Sequence, residues 1–429
     1  MAARLYPFDV VRSTTPPFDS QKMAAVPPKS KLTPERVKTL IRPLPHSPSK
    51  ILYPTRRPEW WDDAHRLLRE LALRNQENPL RKSEILAIEH LVGEVIAKKN
   101  PVELLMLMKL LSEFIVFDTK RLFFRALATF RVLKPEINEY FFDIDSDDPA
   151  EGPSLSPMAI NMMFRFYEEE FGYPAGILSC QPLSSLPNLI RDLAASGPDQ
   201  MRGWVVRNDG PQQDPHVVPI FALTYKGLTH LFIFDSLGHT ISKEPKSSCV
   251  GEALTSLIRQ FEDKTDLVIY SYKIKRQNSE FGCATFSMHD LKNLCERHIR
   301  GSGNIVDFYA TQSSEHQPRR LNEDLGVSGG LSVFEIDTLP PEMMKVTQSV
   351  KKIFSYQKAP PVLNLPIPQF TRFSFDGKTY DTLQDLEALN RSVTEITRTT
   401  PDGGAVNLYI EQKRFSDIVY LISRFSAHL

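Results

Sequence analysis

The chain has 429 residues, enough for two or three domains and a sizeable core. Its 52 basic residues balance 52 acidic ones, which excludes an overall bias toward nucleic acid or acidic membrane surfaces. Cys180, Cys249, Cys283 and Cys295 show neither CxxC pairing nor a dense framework, a pattern that fits a reducing compartment better than a disulfide scaffold or a zinc site.

Residues 1–58 carry runs such as "STTPPF", "AAVPPKSKLTPERV" and "RPLPHSPSK". Such a segment buries too little apolar surface to offset its ordering entropy, so a disordered, proline-rich arm is expected. The start, "MAARLYPFDVV", lacks the apolar run of a secretory signal. Residues 59–140 read as an α-helical domain. "WWDDAHRLLRELAL" repeats apolar residues at spacings of three and four, with Asp62 and Asp63 in its first turn. "SEILAIEHLVGEVIAKK" continues the pattern. "VELLMLMKLLSEFIVF" is broken by Lys109 and Glu113, which predicts a core helix and no transmembrane segment.

In "FDIDSDDPAEGPS", Asp143, Asp145 and Asp147 have the opening spacing of a calcium loop. The sixth position is Asp148 instead of Gly and the twelfth is Ser154 instead of Glu, so an acidic linker is expected and no metal site. Residues 155–300 then form the expected core domain. A helix, "SPMAINMMFRFYEEEF", leads into "GWVVR", "HVVPIFALTY" and "HLFIFDS", which read as short strands with a turn at "YKGLT". "GEALTSLIRQFED" reads as an amphipathic helix, "DLVIYSY" as a buried strand, and "CATFSMHDLKNLCERH" as a helix that begins at a cysteine. The fold class is α+β: a small mixed β-sheet with a central helix carrying that cysteine, preceded by the α-helical domain. Residues 301–429 make a region of mixed α/β character. In it "PPEMMKVTQSVKKIF" and "RFSDIVYLISRF" look helical and "AVNLYIEQ" looks like a strand.

Cys283, taken alone, reads as a buried structural thiol. Its surroundings give it a second reading. His216 opens a predicted strand and Asp235 ends the neighbouring one; an antiparallel return brings both to one edge of the sheet, where the carboxylate can orient the imidazole. Gln277 lies in the loop before the cysteine helix, and its amide can donate to an oxyanion. The first turn of a helix places partial positive charge beside the sulfur. The competing readings are a half-exposed strand histidine, a turn-forming aspartate ahead of Ser236 and Gly238, and a surface amide. Cys180, Cys249 and Cys295 read as structural, and His289 as a packing or surface residue.

The order His, acidic residue, Gln-x5-Cys, helix resembles the CE clan of cysteine enzymes, which holds the ubiquitin-like-protein proteases and the YopJ-like effector acetyltransferases. "HVVPIFALTYKGLTHLFIFD" and "QNSEFGCATFSM" look like the YopJ-like pattern over residues 200–300. The chain departs from it at Asp235, where Glu is usual, and at Gly282 and Ala284 beside the cysteine. "FDSLG" is reminiscent of the protease branch, whereas Val217 stands where the proteases commonly have Trp.

The resemblance implies that His216 is the base, Asp235 its orienter, Gln277 the oxyanion donor and Cys283 the nucleophile. It also implies a cysteine-dependent acetyltransferase that uses acetyl-CoA as acyl donor and acts on Ser, Thr or Lys of a host protein. Inositol hexakisphosphate is the implied activator, and Lys273, Lys275 and Arg276, a basic run ahead of Gln277, are the candidate anion site. By the same resemblance the protein is a bacterial effector, delivered by a secretion system into the host cytoplasm, whose partner is a kinase or ubiquitin or a ubiquitin-like protein. Two alternatives use the same residues. One is a deubiquitinase or ubiquitin-like-protein protease; the other is a helical interaction module on a catalytic fold that has lost its activity.

Overall fold

The structure is a computed structural model that describes residues 57–75, 82–113, 117–143, 152–207, 216–238, 241, 249–277, 282–299, 303–312, 314–340, 343, 347–348 and 409–426. The proline-rich arm of residues 1–56 lies outside them, as do Asp145, Asp147 and Asp148 of the acidic linker. Among the described residues no group of three His, Cys, Asp or Glu side chains is placed to hold a metal. No described helix is long and apolar enough to cross a membrane.

Among the described residues six helices come first: α1 (Trp60–Asn75), α2 (Lys82–Ala97), α3 (Pro101–Glu113), α4 (Phe117–Leu133), α5 (Pro135–Phe141) and α6 (Pro157–Phe171). Helix α3 is the Leu/Met-rich stretch, and Leu104, Leu107, Met108, Leu110 and Leu111 are all fully buried. Helix α6 shows how local sequence sets an element's limits. The Ser156 side chain accepts the Ala159 N–H at the N-cap, Pro157 occupies the first turn where no donor is needed, and Gly172 ends the helix with φ +68°.

The sheet follows: β1 (Leu178–Pro182), helix α7 (Leu186–Ala195), β2 (Met201–Arg207), β3 (Val217–Tyr225), β4 (Leu228–Ile233), helix α8 (Cys249–Gln260) and β5 (Leu267–Tyr272). Then come helix α9 (Cys283–Ile299), helix α10 (Ile305–Ala310), β6 (Arg319–Arg320), a short helix α11 (Asn322–Leu325) and β7 (Ser332–Ile336). The strand order is β1-β2-β3-β4-β5-β7-β6. Pairs β1/β2, β4/β5 and β5/β7 are parallel, and β2/β3, β3/β4 and β6/β7 antiparallel, so the sheet is mixed as expected. Strands β6 and β7 lie beyond residue 300, so the sheet includes residues from the region that follows. Strand β1 and these two went unread in the sequence.

One sheet face packs on α7 and α8, where Leu186, Ile190, Leu193, Leu254 and Leu257 meet Val218, Ile220, Ile233, Ile269 and Val333. The other face receives α9, which is buried from Cys283 through Arg297. A Cβ at Gly203 of β2 would stand 3.2 Å from Leu291 of α9, so this glycine lets the helix sit close on the strand.

The last described helix, α12 (Tyr409–Ser426), returns to the first ones. Phe415 stacks on Phe123 with ring centroids 4.1 Å apart and meets Phe124 edge-on, and Phe425 meets Phe141 edge-on. The strand expected at "AVNLYIEQ" is corrected here: Tyr409–Gln412 begin this helix. Its alternating β-branched and aromatic residues mimic a strand over a few positions. Buried Ile410, Phe415, Ile418, Val419, Ile422 and Phe425 show the helical period that wins over the whole length. The helix expected at "PPEMMKVTQSVKKIF" falls largely outside the described residues.

Candidate active site

The β3–β4 hairpin places the first two site residues. Tyr225 pairs with Leu228 across a two-residue turn, in which Lys226 (φ +51°) and Gly227 (φ +78°) take the left-handed conformations that tight hairpins favour. The register runs to Ile220 opposite Ile233, and the Phe234 N–H bonds Pro219 O one step further. His216, just before β3, and Asp235, just after β4, therefore arrive at one end of the sheet. His216 Nε2 lies 2.9 Å from Asp235 Oδ1, and both residues are buried.

Asp235 opens the "DSLG" turn. Its Oδ1 also accepts the Leu237 N–H at 2.8 Å, and its carbonyl accepts the Gly238 N–H at 3.0 Å. Gly238 has φ +71°, and a Cβ there would lie 2.4 Å from the Lys275 nitrogen. The turn is thus pressed against residues 273–275, which lead to Gln277. The Ser236 carbonyl accepts both the Arg276 N–H (2.8 Å) and the Gln277 N–H (2.9 Å). The Ser236 hydroxyl donates to Gln277 Oε1 at 2.6 Å. With Oε1 accepting that bond, the Gln277 amide is fixed with its donor end directed elsewhere.

Cys283 is the first residue of α9, and the first helical bond runs from the Phe286 N–H to Gly282 O at 3.0 Å. The sulfur is hydrogen-bonded to His216 and accepts the Val217 and Ala284 N–H groups. With Nε2 of His216 on Asp235, Nδ1 is the ring nitrogen left for the sulfur. Burial pushes the thiol's pKa up, but the bond to His216, the charge of that ring and the two N–H groups together hold it below the ordinary value. For His216 burial again opposes the charged form. The bonds to Asp235 and Cys283 and their negative charges outweigh it and raise the pKa to about 10. The favoured state is therefore a thiolate–imidazolium pair. Burial pushes Cys180 up to about 12 and raises Cys295 as well, so neither shares this character.

The three cations of the basic run ahead of Gln277 sit in different surroundings. Arg276 is fully buried: its Nη1 bonds Asp290 Oδ1 at 3.0 Å, and its Nη2 bonds Asp290 Oδ2 in a two-pronged pair. Lys273 Nζ pairs with Glu335 Oε1 at 2.9 Å, and Lys275 is exposed. Charge count in the sequence reads as a solvated patch, whereas Asp290, seven residues along the helix from Cys283, draws Arg276 inward. Ser236 was also missed as a site residue. Its signal is its place between Asp235 and the tight glycine turn. His289 is buried, with Nδ1 2.7 Å from Asn293 Nδ2, and His230 lies 3.5 Å from the Tyr270 hydroxyl.

A family model described as YopJ serine/threonine acetyltransferase matches residues 176–418, a span that takes in every one of these residues. The chain belongs to that family. Solved structures with a similar fold include AvrA with IP6 and CoA, at 16% identity and TM-score 0.40, covering 62% of this chain and 89% of that one. HopZ1a in complex with IP6 is 14% identical with TM-score 0.42, covering 63% of this chain and 85% of that one. HopZ1a with IP6 and CoA is 13% identical at the same TM-score and coverage. A comparison with curated proteins finds no match.

Proposed function

We propose that the protein is a cysteine-dependent acyltransferase that moves acetyl from acetyl-CoA to Ser, Thr or Lys of host proteins by way of a Cys283 thioester. The observation that carries this reading is the hydrogen-bonded series Asp235–His216–Cys283 at the amino end of α9 in a YopJ-family chain. The Cys283 thiolate attacks the donor's thioester carbonyl. The bond to the CoA sulfur breaks, and that sulfur leaves with the proton from His216. Gln277, held by Ser236, donates to the carbonyl oxygen as it gains charge.

Acylation removes the negative charge that helps keep the proton on His216, so the ring's proton affinity falls and it can serve as a base. The acceptor hydroxyl or amine gives its proton to His216 and attacks the thioester. The bond to Cys283 breaks, and the thiolate–imidazolium pair returns. Asp235 holds the ring's orientation throughout and stabilises its charge whenever the ring is protonated.

IP6 accompanies the AvrA and HopZ1a structures, and we extend an activating role for it to this chain. The 273–276 run does not fit such an anion, because Arg276 and Lys273 are engaged with carboxylates. The "FDSLG" turn does not favour the protease reading, since its glycine is accounted for by close packing on residues 273–275. Family membership supports delivery into host cytoplasm and a host protein as partner. Incubating the full chain with labelled acetyl-CoA and host-cell extract tests the proposal. Labelled protein is expected with the wild type; equal labelling by Cys283→Ala would reject it.

A further inference from the structure

The guanidinium of Arg276 bonds or stacks on neighbours of the site residues in the strand ends and in α9. It is paired with Asp290, two helical turns beyond Cys283 on the same face of α9. It lies over the ring of Phe286 in that helix's first turn and over Tyr272 at the end of β5, each about 5.5 Å from the ring centre. Nη2 reaches Phe234 O at 3.5 Å, one residue before Asp235. Nη1 reaches Met343 O at 3.4 Å, and the Arg276 carbonyl accepts the Gln348 N–H at 3.0 Å. Its own N–H bonds Ser236 O, and Gln277 is the next residue.

We propose that Arg276 is a positioning residue. It locks the cysteine helix to the strand end that carries Asp235 and to the loop that carries Gln277, and Met343 and Gln348 each add one bond to it. Such a buried, two-pronged pair is a costly way to gain stability, since desolvating both charges offsets most of their attraction. What it supplies is geometry. The planar guanidinium fixes direction as well as distance to Asp290, and its remaining donors fix Phe234 and Met343. The hydrogen bond between Cys283 and His216 spans these two bodies, helix on one side and strand end on the other, so its length depends on the lock.

The inference rests on the acyltransferase reading only for its second readout. Removing one partner strands a buried charge, so the informative variant replaces both, Arg276→Met with Asp290→Leu, in the full chain. Thermal unfolding first shows that it folds; Arg276→Lys, which keeps the charge but loses the fork, replaces it should the double variant fail to fold. The first readout is the pH profile of Cys283 alkylation by iodoacetamide. A folded variant whose profile moves at least one unit toward alkaline pH supports the lock, whereas a profile that coincides with wild type overturns it. Neither result depends on the acyl donor. The second readout is single-turnover acetylation of Cys283. The expected result is a fall of about a hundredfold in rate at saturating acetyl-CoA with little change in the donor concentration for half-maximal rate. A wild-type chain that alkylates at low pH yet takes no acetyl group contradicts the proposed function and leaves the lock standing.

Discussion

Ser236 and Gln277 are 41 residues apart in sequence, and the serine hydroxyl donates to the glutamine Oε1 at 2.6 Å in a fully buried contact. This bond ties the residue next to Asp235 to the proposed oxyanion donor. It also decides which end of the amide faces the chemistry. Ser236→Ala should leave Gln277 Oε1 without that donor, at a cost of about 1–3 kcal/mol. Acylation of Cys283 should slow by about tenfold or more, because the amide can then turn over. Denaturant melts and single-turnover acetylation measure the two effects.

Gly238→Ala should be among the most damaging single-methyl additions in the sheet. The position has φ +71°, and the new Cβ would meet the Lys275 backbone at 2.4 Å, where no side chain can yield. A loss of about 2 kcal/mol or more is expected, with most of the activity, since Asp235 and Gln277 flank the displaced contact. Urea unfolding with parallel acetylation assays checks this.

The thiolate–imidazolium pair sets a pH signature. Below its ordinary value of 6.5, His216's contribution to stability is fully present, and it is lost as pH rises through about 10. The Cys283 contribution runs the other way, present above 9.0 and lost as pH falls through its lowered value. Cys283 should therefore alkylate at a lower pH than an ordinary thiol does, while Cys180 and Cys295, raised by burial, stay unreactive there. In His216→Ala, burial is left to raise the thiol, so alkylation at pH 7 should fall by at least tenfold and climb with pH. Peptide mass spectrometry after timed labelling reads both.

How far the site was legible follows from which forces act locally. His216 and Asp235 could be paired on paper because a Lys-Gly turn fixes the hairpin register, and the register fixes which residues reach the sheet's end. Cys283 could be placed because apolar spacing begins there. Arg276 could not, because burial of a cation depends on a carboxylate brought in by tertiary packing. The strands Leu178–Pro182 and Ser332–Ile336 are five residues each, too short for alternation to stand out from their flanks. The register that recruits them is set by partners far away in sequence.

The docking of α12 on the early helices joins residues far apart in sequence, and Phe415 is its anchor, fully buried against Phe123 and Phe124. Phe415→Ala should cost about 3–5 kcal/mol. Hydrogen exchange should show the loss concentrated in Tyr409–Ser426 and the facing helices, with the β3–β4 hairpin still protected.

Acid-quenched peptide mass spectrometry of the full chain, taken within the first turnover after mixing with acetyl-CoA, decides whether Cys283 carries the acetyl group. A single acetyl group is expected on Cys283, removed by neutral hydroxylamine as a thioester is, absent in Cys283→Ala and strongly reduced in His216→Ala. An unmodified Cys283 under conditions where acceptor protein becomes acetylated, or transfer that survives Cys283→Ala, would contradict it.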